Sequence, residues 1–239
     1  MNKLRHIFIF AFLAITAYAI AQVGEHRNDF SVGFMGGYTM NSMDFMNPSI
    51  KQSKKGSPMF GFAARYICEK YFTAICGVEM ELQYTNLGWK EVIEDGTENQ
   101  YTRNLNYVQV PMLMQMGWGR ERRGLKFIFE AGPQFGFYLN GSEKKVGNPW
   151  DPSHRPNGVN YQYGKEPDNK FDYGIAAGAG VEVSTPVGHF LLQGRYYYGL
   201  SDVFDNSKKG DFGRSANQTL LVKMTYLLDL VRTKGNNIK

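Results

Sequence analysis

Charged side chains occur on the polar face of several segments in which alternate residues are apolar. Acids and bases arranged in this way can form a gated or ion-selective lumen, or a plug of ion pairs that shifts when a partner binds. The alternative is structural, because charges buried inside a small barrel must pair or cost several kcal/mol. We favour the structural interpretation and keep the gated lumen open. The charged set is Arg65, Glu79, Glu81, Lys126, Glu130, Glu182, Arg195 and Lys223.

The two cysteines, Cys68 and Cys76, lie at equal distances from residue 72, on the flanks of a predicted short turn. In a regular hairpin they would face each other, and an exported chain meets an oxidising compartment. A disulfide is therefore one interpretation, and two apolar, lipid-facing thiols are the equal alternative. Two cysteines without nearby histidines do not form a metal site, so we expect no metal.

No catalytic grouping follows from the spacing of His26, His154 and His189 along the chain. The pattern Gly174-x-x-x-Gly178-x-Gly180 imitates a nucleotide-binding fingerprint, but it lies inside a predicted strand with no helix to receive a phosphate. We therefore expect a protein that is not an enzyme and that carries no cofactor.

The longest stretch without an alternating pattern runs from Gly141 to Lys170. A connection of this length usually carries function or is mobile. Its aromatic and basic residues could bind a partner or a glycan, or could equally form a mobile aromatic loop. These residues are Trp150, His154, Arg155, Tyr161 and Tyr163.

The elements that must position these groups are long strands with a two-residue period. The hairpin from Asn104 to Asn140 is the clearest case, and each arm is long enough for a tilted strand that crosses a bilayer, which needs about 9–11 residues. In its first arm Val108, Val110, Met112, Met114, Met116 and Trp118 lie opposite Tyr107, Gln109, Leu113 and Gln115. In its second arm Phe127, Phe129, Ala131, Phe135, Phe137 and Leu139 lie opposite Lys126, Glu130, Gln134 and Asn140.

Eight such segments occur, and their connections alternate between short and long. Short turns are predicted near Glu69, Gly119 and Thr185, whereas long loops are predicted from Met43 to Ser57, from Leu87 to Thr102, after Gly141 and after Ser201. Outer-membrane barrels combine an even strand number with short periplasmic turns and long external loops. The predicted fold is therefore all-β: an eight-stranded antiparallel transmembrane up-and-down β-barrel.

A soluble, lipocalin-like barrel also has eight strands, but it would direct the apolar faces towards an internal ligand cavity. The phase of the alternation alone does not distinguish the two. Strand length, the unequal connections and the aromatic residues Tyr66, Trp118 and Tyr198 at the strand ends favour the membrane barrel. A lumen of eight strands is filled by side chains, so a water-filled pore is disfavoured.

The N-terminus has the pattern of a secretory signal peptide over residues 1–21, with Lys3 and Arg5, an apolar core from Ile7 to Ile20 and an A-x-A cleavage site. The barrel is expected over residues 22–230 and a polar tail over 231–239. The net charge is +5, and the basic residues cluster in predicted turns. We expect contact with outer-membrane lipid and lipopolysaccharide, and no nucleic-acid partner, since the chain is exported.

Several segments are similar to one known family. NYVQVPMLMQMGWG, GPQFGFYL, FDYGIAAGAGVEV, QGRYYYGLSDVF and VKMTYLLDL resemble the outer-membrane β-barrel family of Bacteroidetes, and more narrowly its PorT-like branch. The resemblance implies an outer-membrane location and a non-catalytic accessory role in the type IX secretion system, with other secretion proteins as partners. The alternative is a small structural or porin-like outer-membrane barrel without a dedicated secretion role.

Overall fold

The computed structural model describes residues 24–46, 50–93, 96, 99–147, 150–152, 160–206 and 212–234. The predicted signal peptide, together with His154 and Arg155, lies outside the described residues. The described chain forms β1 (Glu25–Phe45), β2 (Gln52–Ser53), β3 (Lys55–Tyr71), β4 (Ala74–Glu91), β5 (Gln100–Gly119), β6 (Gly124–Val146), β7 (Phe171–Thr185), β8 (Gly188–Gly199) and β9 (Ser215–Val231).

Eight of these strands close into a ring of antiparallel neighbours. The order around the ring is β3-β1-β9-β8-β7-β6-β5-β4, and β4 returns to β3. The short β2 pairs with the end of β4, where Gln52 lies opposite Glu91. Within the described residues, no helix is long and apolar enough to cross a membrane. The predicted eight-stranded antiparallel up-and-down barrel is confirmed.

The two faces of the strands differ as the alternation predicts. Apolar side chains on the outer face remain exposed, including Phe62 at 69% and Met114 at 73%. Charged and amide side chains on the inner face are almost completely buried, including Arg65 and Glu79 at 1% each. An apolar exterior around a charged interior is the arrangement that a lipid solvent requires.

The two ends of the barrel have different connections. At one end, β3 joins β4 at residues 72–73, β5 joins β6 at 120–123 and β7 joins β8 at 186–187. We call this the turn end, and it also holds the start of β1 and the end of β9. The long connections between the other strands lie at the opposite, loop end.

The strands are longer at the loop end than predicted. β4 continues to Glu91, β5 begins at Gln100 and β6 continues to Val146, where polar loops were expected from Leu87 and from Gly141. In these added strand segments the outer face is polar and the inner face is apolar. Polar and apolar residues therefore still alternate, but their two faces are exchanged relative to the middle of the barrel. The pairing also shifts near residue 139, and this shift places Asn140 on the outer face beside Asn106 rather than in the lumen.

The cysteines do not form a disulfide: both are free thiols. The turn places Tyr71 opposite Ala74 and Glu69 opposite Cys76, and the register shifts between Ile67 and Glu69. Cys68 lies at this bulge, so it does not face Cys76 across the ladder; its thiol lies 3.4 Å from the Cys76 carbonyl oxygen. Because of this bulge, two cysteines at equal distances from residue 72 do not lie opposite each other.

The glycine pattern of β7 is explained by close contact with β8. A Cβ atom at Gly174 would lie 2.2 Å from the Tyr198 carbonyl oxygen, and one at Gly178 would lie 2.6 Å from the Gly194 carbonyl oxygen. Only glycine allows this approach on the inner face. The pattern therefore serves strand packing.

Candidate functional site: a charged lumen and its two ends

The centre of the lumen holds a layer of buried ion pairs between strands on opposite sides of the ring. Arg195 on β8 donates from its two terminal nitrogens to Glu81 on β4, at 2.7 and 2.6 Å, and from Nε to Glu130 on β6, at 2.8 Å. Lys223 on β9 bridges Glu79, at 3.4 Å, and Glu81. This layer therefore links four strands across the lumen.

Three carboxylates of this layer lie close enough together to resemble a metal site. One oxygen each of Glu79, Glu81 and Glu130 lies within 4.8 Å of the others. Arg195 and Lys223 form ion pairs with these three carboxylates, so two cationic side chains already offset most of the charge of the cluster. The arrangement satisfies buried charges and is suited to holding strands together.

A second charged layer lies nearer the turn end. Arg65 on β3 donates to both oxygens of Glu182 on β7, at 2.7 and 3.4 Å. Lys126 Nζ lies 3.0 Å from Glu182 Oε1. Gln115 joins the two layers, because it accepts from Arg65 and donates to Glu79. The structure thus brings together all eight residues of the predicted charged set: Arg65, Glu79, Glu81, Lys126, Glu130, Glu182, Arg195 and Lys223.

A serine, a histidine and an aspartate also meet at the turn end, which the sequence did not reveal. Ser184 Oγ lies 3.0 Å from His189 Nδ1, and His189 Nε2 lies 2.9 Å from Asp229. Ser184 is 2% exposed, and its hydroxyl donates to Glu182 at 3.0 Å. Because this hydroxyl is buried and bonded to a carboxylate, the grouping orients the histidine and does not present a nucleophile.

The turn between β5 and β6 folds an acid back into the turn end. Glu121 accepts from Arg27 Nε at 2.9 Å and from Lys70 Nζ at 3.0 Å. Burial alone would raise the pKa of Glu121, but the hydrogen bonds from Arg27 and Lys70 outweigh it and lower the pKa below its ordinary value of 4.5. The carboxylate is therefore held ionised where the strands open towards solvent.

We expect this acid to make the barrel sensitive to low pH. Because the pKa of Glu121 is lower in the folded state, its ion pairs contribute stability above about pH 4.5, and that stability is lost as the pH falls through the folded value. In Glu121→Gln this part of the pH dependence should disappear. The measurement is the free energy of unfolding between about pH 3 and 6, a range in which glutamate side chains titrate. Glu25→Gln, which changes an exposed partner of the same Arg27, should retain this pH dependence; equal profiles for the two variants would contradict the assignment.

The loop end of the lumen is closed by an aromatic cap. Trp89, Tyr101 and Phe204 are completely buried there. Phe204 stacks on Phe212 with ring centroids 4.6 Å apart. The buried members of the cap come from strands and from the connections between them, and they are Met43, Ile50, Leu87, Trp89, Tyr101, Leu105, Tyr107, Val203, Phe204 and Phe212.

Three of the five residues of the predicted partner loop pack on this cap. Tyr163 contacts Tyr101 edge-on at 4.7 Å and Trp150 at 5.5 Å. Tyr161 contacts Phe212 at 4.9 Å. These aromatic side chains therefore cover the barrel, whereas His154 and Arg155 are not among the described residues.

Ion pairs and a hydrogen bond also stabilise the loop end, where the connection between β6 and β7 contacts the strands. Arg103 lies 3.0 Å from Glu143 and 3.0 Å from Glu166, and the Tyr138 hydroxyl donates to Glu166 at 2.7 Å.

Arg103 was missed because the sequence around it reads as a polar loop. His189 and Asp229 were readable as inner-face positions, but their meeting depends on strand pairing that spacing does not give.

The chain matches one protein family and is similar to several solved structures. The family described as outer membrane protein beta-barrel domain matches residues 20–205. No curated protein matches the chain. Similar solved structures include the attachment invasion locus protein Ail of Yersinia pestis, at 14% identity, 83% of this chain, 99% of that chain and a TM-score of 0.38. They also include Neisserial surface protein A, at 12% identity, 83% of this chain, 96% of that chain and a TM-score of 0.43.

A further similar structure is the N-terminal β-barrel domain of OprF from Pseudomonas aeruginosa, at 12% identity, 86% of this chain, 100% of that chain and a TM-score of 0.36. The family match covers most of the chain, and the closed ring of strands is a β-barrel, as the description of the family states. The chain belongs to the outer membrane protein β-barrel domain family and is located in the outer membrane.

Proposed function

We propose that this protein is a non-catalytic accessory of protein secretion that acts as a closed scaffold in the outer membrane. The observation that carries the closed scaffold is the filled lumen. Two layers of buried ion pairs cross it, and the aromatic cap covers its loop end. The secretion role rests on the resemblance of the quoted segments to the PorT-like branch associated with type IX secretion.

The filled lumen favours a scaffold over a porin. Arg195 and Glu81 join opposite walls directly, with N–O distances of 2.6 and 2.7 Å, so an ion moving along the axis would have to break a buried pair. A buried charge left without its partner costs about 3–5 kcal/mol, which opposes such a separation. Partner proteins would therefore meet the surfaces at the two ends of the barrel.

The unequal connections support one orientation in the membrane. In outer-membrane barrels the short turns face the periplasm and the long connections face outward. The cap side would then be available to external partners, and the turn end to periplasmic secretion proteins. Arg120 and Arg123 of the β5–β6 turn are exposed bases, which supports contact with the anionic headgroups of membrane lipid.

A small structural barrel without a secretion role is the second candidate. The same rigid, ion-paired lumen supports it, because such an interior stabilises the barrel whatever its partners are. The porin-like form of this candidate requires the central layer to open.

Gene deletion separates the two candidates. In the organism that carries this gene, deletion should remove secreted proteins from the medium and the surface and accumulate them in the periplasm. Complementation with the unchanged gene should restore export. Unchanged secretion in the deletion strain would reject the secretion role and leave the structural barrel.

A further inference from the structure

Three strands project beyond their neighbours at the loop end of the barrel. β6 continues to Val146, but its pairing with β7 ends where Phe137 lies opposite Phe171. Within the described residues, β6 from Asn140 onward therefore pairs on one side only, with residues 100–106 of β5. β4 pairs with the other side of β5 along the same stretch. The three strands form a sheet that extends beyond the closed part of the barrel.

The edge of this sheet that β4 provides is covered by the chain itself. β2 pairs with it, and Gln52 lies opposite Glu91. Lys55, at the start of β3, donates from its ammonium group to the carbonyl oxygens of Asn86 and Leu87, at 3.1 and 3.0 Å. Backbone acceptors of the β4 edge are therefore already used within the chain.

The opposite edge, which β6 provides, is open; we call residues 140–146 the open edge. Among the described residues, no strand and no backbone hydrogen bond reaches this stretch on the side away from β5. Every second residue of a strand directs its N–H and C=O groups to the same side, so the open edge presents a row of unpaired donors and acceptors. Its seven residues span about 20 Å, which is the length of an ordinary strand.

The open edge lies in water rather than in lipid, because the outer-face side chains beside it are polar. Asn106 donates to Asn140 at 2.6 Å, and Asn104 donates to Ser142 at 3.3 Å. Lys144 continues this row towards the end of β6 and is exposed. Lipid therefore does not cover the edge, and a partner must reach it from the aqueous phase.

The charge on the open edge selects the partner. Lys145 is paired with Glu143 at 2.9 Å, whereas Lys144 has no ion-pair partner among the described residues. A lysine on an edge strand repels strands that carry a basic residue opposite it and favours strands that carry an acidic one. The open edge is thus complementary to an acidic strand.

From the covered β4 edge, the open β6 edge and the unpaired Lys144, we propose that residues 140–146 bind an extended, acidic segment of a partner polypeptide as an added strand. In this mode of recognition the backbone hydrogen bonds supply affinity, and the side chains that alternate along the strand supply specificity. This inference goes beyond the scaffold role and does not depend on it.

A short peptide serves as the probe. The acetylated, amidated heptapeptide Thr-Val-Glu-Val-Glu-Val-Thr alternates so that both glutamates lie on one face, where they can meet Lys144. In the control peptide each valine is replaced by proline. This change keeps the charge, removes three N–H donors and favours the polyproline II conformation over a strand.

Fluorescence anisotropy of the labelled peptides with the detergent-solubilised full chain measures binding. Lys144→Glu reverses the charge on the open edge. The matched control is Lys90→Glu on the covered edge; Lys90 is exposed and lies in the same row, opposite Thr102, which lies opposite Lys144. Heat-modifiable migration on a gel verifies that both variants remain folded.

The unchanged chain should bind the acidic peptide and not the proline peptide. Binding should also slow amide hydrogen exchange between residues 140 and 146, which attraction by charge alone would not do. Lys144→Glu should bind at least about five-fold more weakly, because an attractive exposed pair becomes a repulsive one. Lys90→Glu should bind within about two-fold of the unchanged chain.

Three results would overturn the proposal. The first is failure of the acidic peptide to bind, which would leave Lys144 as protection of the edge against pairing. The second is equal binding of the two peptides, or binding without slower exchange at the open edge. The third is dimerisation of the chain that slows exchange at the same residues without peptide, which would assign the edge to a second copy.

Discussion

Replacing Arg195 with leucine is expected to lower the free energy of unfolding by about 3–5 kcal/mol. Arg195 makes three hydrogen bonds of 2.6–2.8 Å to Glu81 and Glu130, and all three side chains are at most 1% exposed. Leucine leaves two carboxylates in the lumen with one of their cations removed. The cost arises mainly from these uncompensated charges rather than from the lost bonds themselves.

Urea unfolding in lipid vesicles measures this effect, and two further variants identify its cause. Glu81→Gln/Glu130→Gln/Arg195→Leu removes the charges together and should recover a large part of the lost stability. Arg123→Leu, an exposed arginine, should change stability by less than about 0.5 kcal/mol. If Arg195→Leu unfolds like the unchanged protein, the central ion pairs do not hold the barrel together.

Replacing Met114 with arginine is expected to cost about 2–4 kcal/mol, the penalty for a basic side chain near the bilayer midplane. Met114 lies on the outer face of β5, near the middle of the apolar band from Val108 to Trp118, and is 73% exposed. In water such a surface change would be nearly neutral. The size of the effect therefore reports whether lipid surrounds this face.

The matched control is Ser142→Arg, which adds the same charge to the exposed loop-end part of β6, beyond the apolar band. Its stability should stay within about 0.5 kcal/mol of the unchanged chain. Folding yield and unfolding free energy in vesicles provide the measurement. A Met114→Arg protein that folds in buffer without lipid or detergent would indicate a soluble barrel.

The strands were predictable only where they contact lipid. There the apolar outer face and polar inner face produce the alternation, as in Val108 to Trp118. Between this apolar band and the loop end, the outer face is polar. Asparagines bridge neighbouring strands there: Asn86 donates to Asn106, which donates to Asn140. A polar segment with this pattern resembles a loop when read without its partners.

The charge network was predictable as a set, but its pairing was not. The alternation along the strands predicts that Arg65 and Glu79 lie on the inner face, and these two residues are opposite each other in the β3–β4 register. Arg65 nevertheless pairs with Glu182 across the lumen, because closure of the ring brings β3 and β7 face to face. The aromatic cap was harder still to predict, since it assembles residues from the ends of several strands and from distant connections.

The most direct test of the closed scaffold is conductance after reconstitution of the purified protein into planar lipid bilayers. The buried pairs of Arg195 and Glu81 and the aromatic cap around Trp89 predict no steady unitary current. Insertion is verified by protease protection of the same preparation. A stable open channel that persists at low voltage would contradict the filled lumen and support a porin-like function.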